Sequence, residues 1–522
     1  MASPAWLVGI DVGTTNWKVA AYDEDGRELA VYRQPAAVHA EPGGRAYYDP
    51  QEIWQAVCTG LARVVQELGG PSQARRVVGV AATSMGEAGV LLDGAGQPLY
   101  PAIAWFDPRT HEQLEFWKAH ADPYRIYEIT GFPLQYIPSL NKMMWLARHE
   151  PERFERARRW LCLADYVAFR LSGEQAMDPN LASRTMAFDI VRRQWSGELL
   201  ERAGIDPALL PPVLGCGTRL GRLRPEVAGA TGLPPTAAVA VGGQDHWCGA
   251  LAAGVVRAGD VLDSTGTAEA LILVVERPTL SRQAFDAGLA SGCHTVEGLY
   301  YVLGGLQTAG GAIEWVREAI GQPEQEAARQ AGEGAEGVYR RLMETASRAP
   351  CGSGGLLFLP HLRGCVNPPD ALSKGAWVGL RPFHGRAEML RSVVEGLAYE
   401  FAEAVERLAG LSDSAVRRVA AIGGGTRNEL WLQLKADVSG LPLEVAAAQE
   451  ATTLGAAVLA GVGAGVYRDA VEGAVRVHRV ARTVEPRAEF TERYRPLREA
   501  YRALYPALAA LHARLEALSG SG

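Results

Sequence analysis

The chain has 522 residues, 48% of them hydrophobic and 21% charged, with a formal net charge of −7 at pH 7, the balance of an ordinary globular protein of roughly two to four domains. That acidic balance argues against nucleic acid or an anionic membrane surface as partner, and no apolar run reaches the ~18–20 residues of a membrane span. The cysteines at 58, 162, 216, 248, 293, 351 and 365 are odd in number and form no C-x-x-C pair, which excludes structural zinc and a disulfide framework, and with no signal-peptide pattern at the N-terminus the expected compartment is the reduced cytoplasm.

Trp6 to Ile10 reads as a buried strand that ends in Asp11 and the turn Gly13-Thr14-Thr15-Asn16, after which Val19 to Tyr22 reads as a second strand. Such a turn gathers backbone N–H groups and two hydroxyls at one point, which suits a phosphate. Asp11 beside it suits a hydrated divalent cation. The same pattern also describes a plain hairpin with a polar turn. Pro50 to Leu68 has the period of an amphipathic helix. Two further apolar runs lead into polar clusters: Val77 to Ala82 into Ser84-Met85-Gly86-Glu87, and Pro101 to Ala104 into Trp105-Phe106-Asp107-Pro108-Arg109-Thr110. Glu87 and Asp107 would accept from hydroxyls, Arg109 would donate, and Trp105 would cover a carbon face, a set suited to a small polyhydroxyl ligand. A surface Asp–Arg pair beside a core Trp reads equally well. The strand Ala237 to Val241 runs into Gly242-Gly243-Gln244-Asp245 and a helix through Ala253. Residues past the carboxyl ends of strands face the crevice of an open α/β sheet. A carboxylate there can take the proton of an alcohol that receives a phosphoryl group, or it can cap the helix.

The second half echoes the first. Ala258-Gly-Asp-Val-Leu-Asp-Ser-Thr-Gly-Thr-Ala-Glu-Ala270 with Leu271 to Val275 is again strand, glycine–threonine turn, strand. A boundary near Gly254 to Ala258 divides the chain into 1–254 and 255–522, two similar halves around a cleft. Thr308-Ala309-Gly310-Gly311 opens a helix with Glu314 and Trp315, and Ile422-Gly423-Gly424-Gly425 joins the strand Val419 to Ile422 to a helix from Asn428 to Ser439. Glycine at such turns lets a ligand meet a helix N-terminus. Helices are also expected over Glu388 to Leu408 and, unbroken, over Glu489 to Leu518, with a frayed tail from Leu518 to Gly522. No Walker A motif and no G-x-G-x-x-G followed by an acid is present, so a dinucleotide fold is not expected. The class is α/β.

From Gly9 to about Gly461 these residues resemble the FGGY family of carbohydrate kinases. The resemblance is carried by Gly-Ile-Asp-x-Gly-Thr-Thr at 9–15 and by Lys142-Met-Met-Trp-Leu146, although Ile137 departs from the signature's first residue. It continues through Ala182-Ser-Arg-Thr185 with Phe188-Asp189-Ile190, then Gly-Gly-x-Asp at 242–245. The second half adds Gly266-Thr267, Ala309-Gly-Gly-Ala-Ile-Glu-Trp315, Gly423-Gly-Gly425 with Asn428, and Thr453-Leu-Gly-Ala-Ala457. It implies a two-domain, actin-like (ribonuclease-H-like) ATPase fold with a cleft between a sugar-binding N-terminal and a nucleotide-binding C-terminal domain. The implied activity is ATP-dependent phosphorylation of a sugar hydroxyl with Mg²⁺. By analogy Asp245 would be the general base, and Asp11 would hold the metal, through water. Thr14, Thr15, Asn16, Lys18, Gly266 and Thr267 would face the phosphates, with Gly310, Gly311, Gly424 and Asn428 framing the nucleotide. A homodimer is the expected assembly.

The substrate is less determined. Glu87 stands where glycerol kinases hold a polyol, but Gly86 replaces the arginine before it. The histidine that xylulose and gluconate kinases carry near position 86 is absent too. Trp105-x-Asp107-x-Arg109 resembles the pentulose and gluconate branches, and Asp178 adds an acid. Glu87, Asp107 and Asp245 against Arg109 alone would repel a carboxylate. The expected substrate is therefore a neutral open-chain ketose, such as a ketopentose, or a polyol. The alternatives are an aldonate (gluconate-type) kinase and a catalytically idle sugar- or nucleotide-binding regulator.

Overall fold

The opening hairpin forms as expected in the computed structural model, which describes residues 5–519: Trp6–Val12 pairs antiparallel with Asn16–Asp23. Every residue of Trp6–Val12 is buried, as befits a strand covered on both faces. It lies parallel to Val77–Ser84, which lies parallel to Ala238–Gln244; Glu28–Pro35 and Arg219–Arg222 complete a six-stranded sheet. The register sets Asp11 and Gly243 on either side of Thr83. Asp11, Glu87 and Asp245 therefore leave the sheet at one edge, the carboxyl ends of three adjacent parallel strands, where a ligand crevice forms.

The echo seen in the sequence is a duplication of topology. In the second, seven-stranded sheet, Asp260–Thr265 pairs antiparallel with Glu269–Val275 and parallel with Arg418–Ile422, which lies parallel to Leu443–Ala446. Hairpin, two parallel strands and an antiparallel edge strand recur in the same order in both sheets. The helix Ala451–Ala464, although late in the chain, packs on the first sheet and on the helix Asp245–Ala252. Leu454 and Val458 share a core there with Leu7, Ala81, Ala240 and Leu251. The approach is so close that a Cβ on Gly455 would lie 1.7 Å from the Cys248 carbonyl oxygen, and one on Gly9 1.9 Å from that of Thr453; only glycine fits at either place.

The helices expected in the sequence run Pro50–Glu67, Arg386–Leu411 and Glu429–Ser439. The unbroken C-terminal helix does not form. Ala488–Arg502 ends and Leu504–Ser519 begins anew, because Pro506 has no N–H to give the Arg502 carbonyl and its ring would collide with it. Of the expected frayed tail, residues 520–522 lie outside the described residues, and Leu518 falls in the last turn of that helix. Among the described residues no helix is long and apolar enough to cross a membrane.

Candidate active site

Asp11, the penultimate residue of its strand, is 4% exposed. Its Oδ2 accepts from Thr452 Oγ1 at 2.8 Å, while Oδ1 is buried without a partner. Burial, reinforced by the nearby Asp245 carboxylate, pushes the Asp11 carboxyl up to about 7. Lys18 is not free to meet a phosphate: its Nζ lies 2.8 Å from Glu450 and 3.9 Å from Asp11. Gln244, not Asp245, is the N-cap of the helix Asp245–Ala252. Asp245 is half-buried; its Oδ1 accepts from the His246 amide at 2.7 Å, and among the described residues no hydrogen bond reaches Oδ2. Gln244 holds the N-cap position without a side-chain capping bond, and Asp245 lies in the first turn.

Glu87 sits beside this edge at φ +62°, a conformation uncommon outside glycine that persists where its surroundings impose it. Ser139 donates to its carbonyl at 3.0 Å and Arg184 Nε to its Oε1 at 2.5 Å. Asp107 and Arg109 are spent on each other: Nε to Oδ1 at 2.9 Å, Nη2 to Oδ2 at 2.8 Å, with the Ala46 amide adding 2.6 Å to Oδ2. Burial raises the Asp107 carboxyl, but these bonds outweigh it and hold it below the usual range. This is the Asp–Arg pair of the alternative reading, moved inward, while Trp105 is the exposed member. The Trp105 indole N–H donates to Thr14 Oγ1 at 3.1 Å, joining the polyhydroxyl cluster to the first hairpin. Thr15 is exposed and Asn16 opens the second strand. Asp178 is turned inward: Oδ1 caps a short helix through the Asn180 and Leu181 amides at 2.7 and 2.9 Å, and Oδ2 is buried unpartnered.

In the second half the glycine turns lock together. The Gly310 amide donates to the Gly266 carbonyl at 3.1 Å, and the Ala309 and Gly311 amides to that of Thr267 at 2.9 and 3.0 Å. Gly266, Thr267, Gly310, Gly311, Gly424 and Asn428 line one cavity of about 1210 Å³; the side chain of Asn428 caps the helix Glu429–Ser439. Thr14, Thr15, Asn16 and Lys18 are not on its wall. Beneath the second turn lies Lys435, 1% exposed. Its Nζ meets Asp263 Oδ2 at 2.6 Å and Thr265 Oγ1 at 3.0 Å and is ion-paired with Glu269.

Residues 6–252 match the N-terminal domain of the FGGY family of carbohydrate kinases, and residues 262–464 match its C-terminal domain. The chain belongs to this family. It is 29% identical over 496 residues to the xylulose kinase of Bacillus subtilis (strain 168), covering 94% of this chain and 95% of that one. It is 30% identical over 510 residues to the autoinducer-2 kinase of Salmonella paratyphi B, covering 95% and 93%. The crystal structure of the xylulose kinase of Rhodospirillum rubrum superposes with a TM-score of 0.87 at 28% identity, over 97% of this chain and all of that one. As an FGGY kinase the protein has the two-domain actin-like fold and is a phosphotransferase that uses ATP to phosphorylate a sugar or polyol hydroxyl.

Two features of this FGGY kinase correct the charge argument made from sequence. Arg184 neutralises Glu87 as Arg109 neutralises Asp107. Lys142, wholly buried, donates to the Ile137 carbonyl; burial lowers its ammonium to about 8 against the pull of Glu87 and Asp107. Asp245 is then the one carboxylate of the three left uncompensated by an arginine, so a carboxylate ligand is not repelled on the scale expected. Lys142 and Arg184 lie inside the quoted motifs; Arg184 is not assignable from them because its partner Glu87 is 97 positions away, and Lys142 because its burial is not a local property of the sequence. Lys435 carried a signal of its own, a cation on the helix face shared with Trp431, Leu434 and Val438.

Proposed function

We propose that this kinase transfers the terminal phosphoryl group of ATP to a hydroxyl of a neutral open-chain ketose or polyol, with Asp245 taking the hydroxyl proton. The observation that carries this is the unbonded Oδ2 of Asp245, held at the same sheet edge as Asp11 and the Glu87–Arg184 pair. A base without a competing donor is poised to accept a proton. Phosphoryl transfer needs positioning and charge neutralisation more than covalent help. The nucleotide would lie in the 1210 Å³ cavity, with its phosphates toward the Thr267 hydroxyl and the start of the helix at Gly310, whose dipole suits anions although the Ala309, Gly310 and Gly311 amides are themselves bonded to the Gly266–Thr267 turn. Lys18, held by Glu450, would act by offsetting the acids around the first hairpin.

Mg²⁺ is part of this reading. Asp11 has an orphaned buried oxygen beside a second carboxylate, a donor set that suits a hard divalent cation, which when bound would neutralise phosphate charge. The division at 254/255 is supported by the gap between the two family matches. The seven free cysteines support a cytoplasmic setting, and the homodimer rests on the family resemblance.

A neutral acceptor is favoured over an aldonate because Glu87 and Asp107 each have one arginine, Lys142 is committed to a carbonyl, and Asp245 leaves the edge with a net negative charge that a carboxylate would meet. Sugar-stimulated ADP release, measured across pentuloses including xylulose, hexuloses, polyols, aldonates and autoinducer-2, tests the reading. Turnover of a ketose or polyol is expected. Stimulation by aldonates alone would overturn the neutral-acceptor assignment, and none by any acceptor would overturn the kinase activity of this site.

A further inference from the structure

Arg184 uses only part of its guanidinium. Nε and Nη2 both go to one oxygen, Oε1 of Glu87, while Nη1 is buried with no hydrogen-bond partner. A buried cationic donor left unpaired is costly, and in a folded protein such a group calls for an explanation. Two other buried polar atoms nearby lack a hydrogen bond of full geometry: the Gln244 Oε1 and the hydroxyl of Tyr301, which lies close enough to the Arg184 guanidinium to favour its charged form by charge and by a weak side-chain contact. Arg184, Gln244 and Tyr301 are 8%, 5% and 0% exposed respectively. The residue beside both Gln244 and Arg184 is a glycine. A Cβ on Gly86 would lie 3.1 Å from Gln244 Nε2 and 3.7 Å from Arg184 Cγ, and Gln244 immediately precedes Asp245. The ring of Phe132, 4.4 Å from the guanidinium carbon, fixes the plane of the cation.

We propose that Arg184 is a specificity-determining residue for the acceptor: with Glu87 it reads one hydroxyl of a neutral substrate, from the far side of the chain, at a position where residue 86 has no side chain to do so. This rests on the reading of the Asp11–Glu87–Asp245 edge as the acceptor site. The chemistry selects the ligand class. A hydroxyl both accepts and donates, so it can take the free N–H of Nη1 and give its proton to Glu87 Oε2, to which no protein hydrogen bond is made among the described residues. A carboxylate could use the first contact but would meet the Glu87 charge in the second. A ketose or polyol hydroxyl distant from the reacting one therefore fits, and Gln244 Oε1 offers an acceptor for its neighbour.

The test is a cycle between protein and substrate. Arg184→Met is compared with wild type on the best neutral acceptor and on its monodeoxy analogues, with KM and kcat for acceptor and ATP measured separately. The expected result is an acceptor KM raised about tenfold to a hundredfold, the range for a hydrogen bond to a charged group, and an ATP KM within about twofold, as no contact to nucleotide is lost. One deoxy analogue should show the same penalty in wild type and no further penalty in the variant. An unchanged acceptor KM, or equal penalties for every analogue in both enzymes, would overturn the inference. Because Arg184→Met strands the Glu87 charge, the double variant Arg184→Met/Glu87→Met, which removes both buried charges, is the second arm. It should fold, bind ATP normally and lose the acceptor preference; retained preference overturns the proposal. If wild type turns over no acceptor, the kinase reading of the site fails. Acceptor binding followed by titration calorimetry then decides the inference by itself: equal affinity in wild type and Arg184→Met refutes it.

Discussion

Asp107 shows why residue roles are the hardest to read from a sequence. Its type and spacing to Arg109 suit a sugar ligand, yet all of its bonding capacity goes to Arg109 and Ala46. Removing one partner of a buried ion pair strands the other, at about 3–5 kcal/mol. Asp107→Asn should therefore lower the stability seen in urea denaturation by about that amount, with acceptor KM changing less than tenfold at a temperature where the variant is folded. Unchanged stability with a large rise in acceptor KM would return Asp107 to the ligands. The placement of Asp11 at the sheet edge and of Thr267 and Gly424 on the cavity wall was legible because they lie in short local motifs. Arg184 was not, because its partner Glu87 is 97 positions away and no local pattern records a contact of that range.

At the scale of elements, both hairpins and their turns were legible, since alternation of strand, glycine turn and strand is a local signal. What they rest on was not. The second hairpin is fixed from below by Lys435, whose ammonium joins Asp263, Thr265 and Glu269 and lies 4.8 Å and 4.9 Å from the rings of Trp431 and Phe401. The helix that borders the large cavity at Asn428 is thereby tied to the turn that borders it at Thr267. Lys435→Met keeps the packing against the rings and leaves two buried carboxylates without a cation. It should raise ATP KM about tenfold, about 1.4 kcal/mol, with little change in acceptor KM, and speed hydrogen exchange over residues 263–269. Equal effects on both substrates would show that Lys435 supports the fold generally. The break at Ala503 was missed for the opposite reason: the regular Leu and Ala spacing continues through it, and only Pro506 marks the end of one helix and the start of the next.

The whole molecule is held by crossings between its halves. The helix Ala451–Ala464 packs on the first sheet, Thr452 bonds Asp11 and Glu450 bonds Lys18, so the metal-type acid and its cation are both set by residues from the late part of the chain. At the other end the C-terminal helices dock on Arg386–Leu411 through Tyr501, which donates to Glu400 at 2.7 Å, and His361 lies 3.2 Å from the same carboxylate. Burial alone would lower the His361 imidazole from 6.5, but bonding to Cys365 and Glu400 raises it to about 9. A raised histidine contributes stability that is fully present below its unfolded value of about 6.5 and is lost as pH climbs through the folded value. Wild type should lose about 3 kcal/mol relative to His361→Gln between pH 6 and pH 10, as measured by urea denaturation; parallel pH profiles would contradict this. The central claim is that the two halves bring a phosphoryl donor to a hydroxyl deprotonated by Asp245. Asp245→Asn measures it most directly, with sugar-stimulated ADP release and ATP affinity followed in the same preparation. The account predicts that turnover falls by about 10²–10⁴-fold, the usual contribution of a general base, while ATP binds within about threefold of wild type; turnover within tenfold of wild type would contradict it.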